Sequence, residues 1–252
     1  MREGRDSEQP RLAKLGILFL LALAGQLISR WLGGRHVTNL GAPTQGVSFG
    51  ADLILLACVP FGFFLAPTLS LPGTPLFDRW VHREGFAREL NRAFYRSLVL
   101  VLVTLTAALA LAAIPHAPVH VEGTNIPTPL PLAMMLSIAA AFREEIEFRL
   151  GLLTVLAWLV SHASRAISAR RESASLWIAN LIQAMAFGAI HLVVGTRSTS
   201  TLSLLAVMRE PRTISGVILG YAYFSYGLDT AIMTHALFDA SISTLAAVFA
   251  RI

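Results

Sequence analysis

The chain has 252 residues, of which 55% are hydrophobic and only 14% charged, and its mean hydropathy is +0.63. A soluble domain carries about a quarter charged residues, so this composition excludes a water-soluble globular protein and predicts an all-α integral membrane protein. The net charge of +5 rests on 19 Arg and one Lys (Lys14), set mostly in short segments between apolar runs. That placement reports orientation and lipid contact rather than a nucleic-acid partner.

The first apolar run, 15–29, follows a segment charged with both signs (Arg2, Glu3, Arg5, Asp6, Glu8, Arg11, Lys14) and lacks a small-x-small cleavage site before Arg30. It reads as a retained helix, 15–33, rather than a removed signal. Uncharged stretches follow at 53–77, 97–115, 123–142 and 173–190, each near the roughly 20 residues that a bilayer core demands. The expected spans after the first are 52–73, 97–115, 131–161, 173–194, 213–227 and 229–250. Gly41-Ala42-Pro43, Pro72-Gly73-Thr74-Pro75 and Pro127 to Pro131 punctuate the joints. Cys58 is the only cysteine, which excludes an intramolecular disulfide and a cysteine-based metal cluster.

Between the second and third spans, residues 74–96 carry Arg79, Arg83, Arg88, Arg92 and Arg96. Their spacing predicts an amphipathic helix lying on an anionic lipid surface. The 161–172 loop holds Arg165, Arg170 and Arg171, whereas 116–130 has no Lys or Arg, so a cytoplasmic N-terminus places the basic loops inside. Residues 198–208 are apolar but only eleven long, about 16 Å as a helix. If they cross with help from 192–197, Glu144, His191 and His235 all fall toward the outer half of the membrane. A bundle of seven to eight helices is therefore expected, with eight preferred and a cytoplasmic C-terminus. The whole chain, 1–252, reads as one transmembrane domain: N-terminal helices over 1–129 and a catalytic helical core over 130–250.

The residues that could carry chemistry lie in that core. Arg143-Glu144-Glu145-Ile146-Glu147-Phe148-Arg149 sits inside an apolar helix. Glu145 and Arg149 are four apart with the acid first, the favourable order for an ion pair. Glu144 points about 100° away and has no cation on its own face. It needs a partner on another helix, a metal or a proton, and ionisable groups within a membrane are functional candidates. Glu147 receives no role. His191 follows Phe187 near the end of its helix, and His235 precedes Asp239 by four residues, so that pair shares a face. Gly216-x-x-x-Gly220 permits close helix approach. A glutamate and two histidines can activate water, with the carboxylate as general base or with a divalent ion held between them. Glu144, His191 and His235 would suit zinc as a three-ligand set. The same residues could also serve a proton-coupled transporter, or persist in a non-catalytic scaffold or immunity protein.

Glu144-Glu145-x-x-x-Arg149, Phe187-x-x-x-His191 and His235-x-x-x-Asp239, in this order, resemble the CAAX-protease and bacteriocin-processing family, also called CPBP or Abi. The stretch from Gly216 to His235 is similar to that family's penultimate segment. The likeness covers roughly 130–245, and 1–120 match in hydropathy only. It implies an eight-helix intramembrane protease cleaving near the C-terminus of membrane-associated or exported proteins, in a bacterial inner membrane. It further implies Glu144 as base, Glu145 and Arg149 in support, His191 assisting water activation, and His235 with residue 239 binding the oxyanion. The family often has asparagine where this chain has Asp239, and an ionised aspartate has no proton to donate to an oxyanion.

Overall fold

The computed structural model describes residues 3–37, 45–113, 129–163, 171–196 and 202–249. The expected joint at Gly41-Ala42-Pro43, residues 116–128 of the expected Lys- and Arg-free loop, and Arg165 and Arg170 lie outside them. Among the described residues the regular structure is helical throughout, with no strand. The helices are α1 (Glu3–Val37), α2 (Gln45–Leu65, continued by a 3₁₀ turn Ala66–Leu69), α3 (Pro75–His82), α4 (Phe86–Ala112), α5 (Leu130–Glu145), α6 (Thr154–Ala163), α7 (Arg171–Thr196), α8 (Leu204–Arg209), α9 (Pro211–Tyr226) and α10 (Leu228–Phe249). A π-helical stretch, Ile146–Leu153, joins α5 to α6 without a break, so Leu130–Ala163 is one rod of 34 residues.

Four segments of the described chain are long and apolar enough to cross a bilayer: Arg11–Ile28, Phe86–Leu111, Leu130–Ala163 and Ser173–Val193. Large apolar side chains such as Leu20, Ile54, Leu102, Leu109 and Ile138 face outward, as a lipid-facing surface requires. Inside, Val59, Ile146, Leu153, Tyr223 and Leu228 meet in one cluster drawn from α2, the π stretch, α9 and α10. Lipid is as apolar as these side chains, so association here rests on close packing and hydrogen bonds between helices rather than on escape from water. Gly62 on α2 makes the tightest approach: a Cβ there would fall 1.7 Å from the Leu150 carbonyl oxygen. Its absence lets α2 press its backbone onto the π stretch.

The expected amphipathic helix over 74–96 is two elements. The chain turns between them through Arg83 and Gly85, both at positive φ (55° and 64°). α3 buries none of its residues and exposes Trp80 and Val81. Arg88, Arg92 and Arg96 instead ride on the first turns of α4, where Glu89 lies 3.6 Å from Arg92 and 3.8 Å from Arg96. The α4 helix thus starts eleven residues before the expected span, because a basic first turn snorkels to the interface without ending the helix.

Among the described residues, which leave out 197–201, the extra crossing expected from residues 192–212 is not found. Asn180 Nδ2 donates to Val217 O (2.9 Å), Gln183 Nε2 donates to Gly216 O (3.0 Å), and Gly188 lies against Thr213. Residue numbers rise along α7 as they fall along α9, so the two helices are antiparallel neighbours. The segment between them therefore leaves and returns at the same end of the bundle. Its helix α8 has six residues, about 9 Å, far too short to span a bilayer. Thr213 Oγ1 donates to Val207 O at 2.6 Å and ties α8 down beside the start of α9.

At the other end of the bundle the chain is knotted together. Lys14 pairs with Asp78 at 2.6 Å, the Leu76 amide donates to Asp229 Oδ2 at 2.8 Å, and the Leu228 amide donates to Gly73 O at 2.8 Å. Gly227 makes the reversal between α9 and α10 at φ 105°, where a Cβ would strike Pro75 Cδ at 2.5 Å. Only glycine meets both demands. This end gathers Lys14, Arg79, Arg83, Arg88 and Arg92.

Candidate active site

Glu144 and Glu145 are the last two residues of α5 and both are buried, at 6% and 0% exposure. Burying a carboxylate without compensation costs several kcal/mol, so the partners of each decide whether the site can exist. The expected Glu145–Arg149 pair forms: Arg149 Nε lies 3.0 Å from Glu145 Oε2, with both side chains fully buried. The Arg149 guanidinium also lies 4.9 Å from the ring centroid of Phe187, and Phe187 meets Phe148 edge-on at 4.9 Å. A cation over an aromatic face gains electrostatic attraction when both are desolvated. One helix thereby supplies a charge and its counter-charge, while α7 supplies the ring that shields them.

Glu145 has a second partner that spacing did not disclose. Its Oε1 lies 2.8 Å from His235 Nδ1 on α10. The expected His235–Asp239 contact is present on the other side of the ring, with Nε2 3.4 Å from Asp239 Oδ2. A carboxylate can only accept, so Nδ1 of His235 carries a proton and Nε2 points into the site.

His191 is held comparably. Its Nδ1 lies 2.9 Å from the Phe187 carbonyl oxygen, four residues earlier on α7. Since that oxygen also only accepts, the ring presents Nε2 toward α5. The two histidines converge on one atom: His191 Nε2 and His235 Nε2 each lie 3.9 Å from Glu144 Oε2. That is beyond a direct hydrogen bond and within reach of a shared water. Convergence does not require the extra crossing. Gly188 opposite Thr213 sets His191, three residues further along the antiparallel α7, level with the start of α9, and His235 lies two turns into α10. The intervening α9 is only sixteen residues long.

The expectation that Glu144 lacks a local cation is corrected. Its Oε1 is ion-paired with the guanidinium of its neighbour Arg143. Successive residues on a helix do not face each other at Cβ, but an arginine is long enough to curl back. Arg143 Nη1 in turn donates to Gln26 Oε1 on α1 at 3.3 Å. Neither Arg143 nor Gln26 was singled out for a role from the sequence. Gln26 is an uncharged residue in a run read for hydropathy alone, so no signal marked it. Glu147, given no role, is also buried, at 1% exposure. The open side of the site is marked by His191, Arg143 and Asp239, whose side chains are 20%, 20% and 32% exposed, against 7% for His235.

Among the described residues no three His, Cys, Asp or Glu side chains close into a metal-binding group. One oxygen of Glu144 is already committed to a guanidinium, so a metal on that carboxylate would meet a fixed positive charge.

Residues 126–241 match the model of a protein family described as type II CAAX prenyl endopeptidase Rce1-like. No curated protein and no solved structure gives a match. The matched segment contains Glu144, Glu145, Arg149, His191, His235 and Asp239, while α1 and Gln26 fall outside it. Over residues 126–241, a little under half of its length, the chain is similar to the CAAX-protease family of membrane proteases.

Proposed function

We propose that this protein is an intramembrane endopeptidase in which Glu144 and His191 hold and deprotonate a water molecule beside His235. The observation that carries the reading is the approach of two imidazole nitrogens, from α7 and α10, to the same oxygen of Glu144 at 3.9 Å each. Water held there attacks the scissile carbonyl carbon, and its proton passes to Glu144. The same proton then goes to the leaving amine as the C–N bond breaks, giving a carboxylate and a new N-terminus. His235 has carboxylates against both ring nitrogens, an arrangement suited to a ring protonated on both. Its Nε2–H is then the donor for the developing oxyanion. Asp239, unable to donate as a carboxylate, serves to orient that ring. Glu145 anchors His235 and is itself anchored by Arg149. The transporter and scaffold readings are not favoured by the family whose model residues 126–241 match.

The substrate is a membrane-anchored or exported protein cut near its C-terminus, and the setting is a bacterial inner membrane. The end bearing Lys14, Arg79, Arg83 and Arg88 faces the cytoplasm, since Lys and Arg concentrate on that side. The test is processing of a membrane-anchored precursor identified by comparing wild-type and deletion-strain membranes. Glu144→Gln and His235→Ala should each leave membrane insertion intact and reduce cleavage by at least about a hundredfold. Undiminished cleavage by either variant would refute the assignment.

A further inference from the structure

We propose that Arg143 is a positioning residue for Glu144, braced from α1 by Gln26, so that the N-terminal helix is a working part of the site rather than only an anchor. The inference rests on the role proposed above for Glu144. The brace has three links. Arg143 is paired with Oε1 of Glu144, leaving Oε2 to face both imidazoles. Arg143 Nη1 donates to Oε1 of Gln26 at 3.3 Å, and Gln26 is itself 7% exposed. The backbones of α1 and α5 come together at the same level. A Cβ at Gly25 would fall 2.6 Å from the Ala139 carbonyl oxygen and 3.0 Å from Arg143 Cβ, so any larger residue would push α1 away from Arg143.

A glutamate side chain has three rotatable torsions, the last of them broad. Two imidazoles 3.9 Å away from one of its oxygens are too far to fix it directly. The guanidinium does so, because it makes a charge-assisted contact with the opposite oxygen. Gln26 fixes the guanidinium in turn. Among the described residues, Asp239 and His235 on α10, His191 on α7, and Glu145 with Arg149 on the rod itself are charged or titratable groups paired around this pocket. The two carboxylates among them, Glu145 and Asp239, contact other groups in the site, which leaves Arg143 to hold Glu144.

The test uses full-length protein in detergent or proteoliposomes, with cleavage of the precursor as one readout and the infrared carboxylate band of Glu144 as another. That band is isolated by subtracting the Glu144→Gln spectrum. Arg143→Ala should lower kcat about tenfold to a hundredfold with KM within about twofold of wild type, since a displacement of about 1 Å costs that much. Methylguanidinium should restore part of the rate, because the Arg143 side chain is 20% exposed and its space reachable. Gln26→Leu and Gly25→Leu should each lower kcat in the same direction with smaller effect. Arg143→Ala, and to a lesser degree Gln26→Leu, should shift the Glu144 band. A kcat within twofold of wild type in Arg143→Ala, or a loss that methylguanidinium does not relieve, overturns the proposal. If wild-type protein cleaves nothing, the protease reading fails, and the band still decides this one: an unmoved Glu144 band overturns it.

Discussion

Glu145 and His235, ninety residues apart in sequence, are joined at 2.8 Å through Oε1 and Nδ1, while the other oxygen of the same carboxylate lies 3.0 Å from Arg149. One buried acid thus balances the charge of a cation on its own rod and orients an imidazole on another. The consequences for stability and for catalysis are separable.

Glu145→Gln removes the counter-charge from a fully buried guanidinium. Stripping one partner from a buried pair costs about 3–5 kcal/mol. The variant should unfold at markedly lower temperature in detergent, as followed by circular dichroism or a dye-free melting assay. Glu144→Gln, whose carboxylate is paired with the partly exposed Arg143 and faces two imidazoles at 3.9 Å, should melt within a few degrees of wild type. Equal losses in the two would contradict the division of labour between these neighbours.

Asp239→Asn should retain cleavage or increase it. The amide keeps the contact with His235 Nε2, now 3.4 Å away, and adds an N–H that an oxyanion can accept. Asp239→Leu removes both properties and should lower kcat/KM about tenfold or more, as loss of an oriented catalytic group commonly does. Steady-state cleavage of one peptide by the three proteins decides the matter; an Asn variant weaker than the Leu variant would be fatal to this account.

Metal removal should leave the enzyme working. Active protein, purified and dialysed, should contain well under one zinc per chain by elemental analysis, and phenanthroline should not inhibit it. Stoichiometric zinc with activity lost on chelation and restored by the metal would show that Glu144, His191 and His235 rearrange to hold it.

A reporter fused after Ile252 that is active only outside the cytoplasm should be active. The amide of Leu228 is bonded to Gly73 at the basic end, and α10 runs 22 residues from there, about 33 Å. It ends on the opposite side. The eight-crossing topology expected from hydropathy gives the reverse result, so a silent reporter would restore it.

Much of this was legible in the sequence, and the reasons differ from residue to residue. Uncharged runs announced a helical membrane protein because lipid offers the backbone no partners, which makes helix the economical solution. The Glu145–Arg149 and His235–Asp239 contacts followed from helical periodicity. The pairing of Glu144 with Arg143 did not, because a rule based on Cβ directions ignores how far an arginine can reach. The link to Gln26 is a tertiary contact between helices more than a hundred residues apart and leaves no local trace. Residues 198–208 misled because apolar content was weighed against a bilayer, while the antiparallel seam of α7 and α9 was invisible. That seam depends on Asn180 and Gln183 reaching the backbone of α9, a contact that hydropathy averages away.

The stretch Ile146–Leu153 has one last consequence. Each of its hydrogen bonds reaches one residue further along the chain than in an α-helix, and Thr154 Oγ1 donates to the Arg149 carbonyl oxygen at 3.0 Å just past it. It works as a phase shifter in a single rod. Upstream, the rod presents one azimuth to α1 and α10; downstream, a rotated azimuth meets α2 and α7. Deleting one residue there would let the stretch relax to ordinary pitch and turn α6 out of step with its neighbours, although both glutamates would keep their places. A lineage could therefore accept side-chain changes along this stretch far more readily than any change in its length.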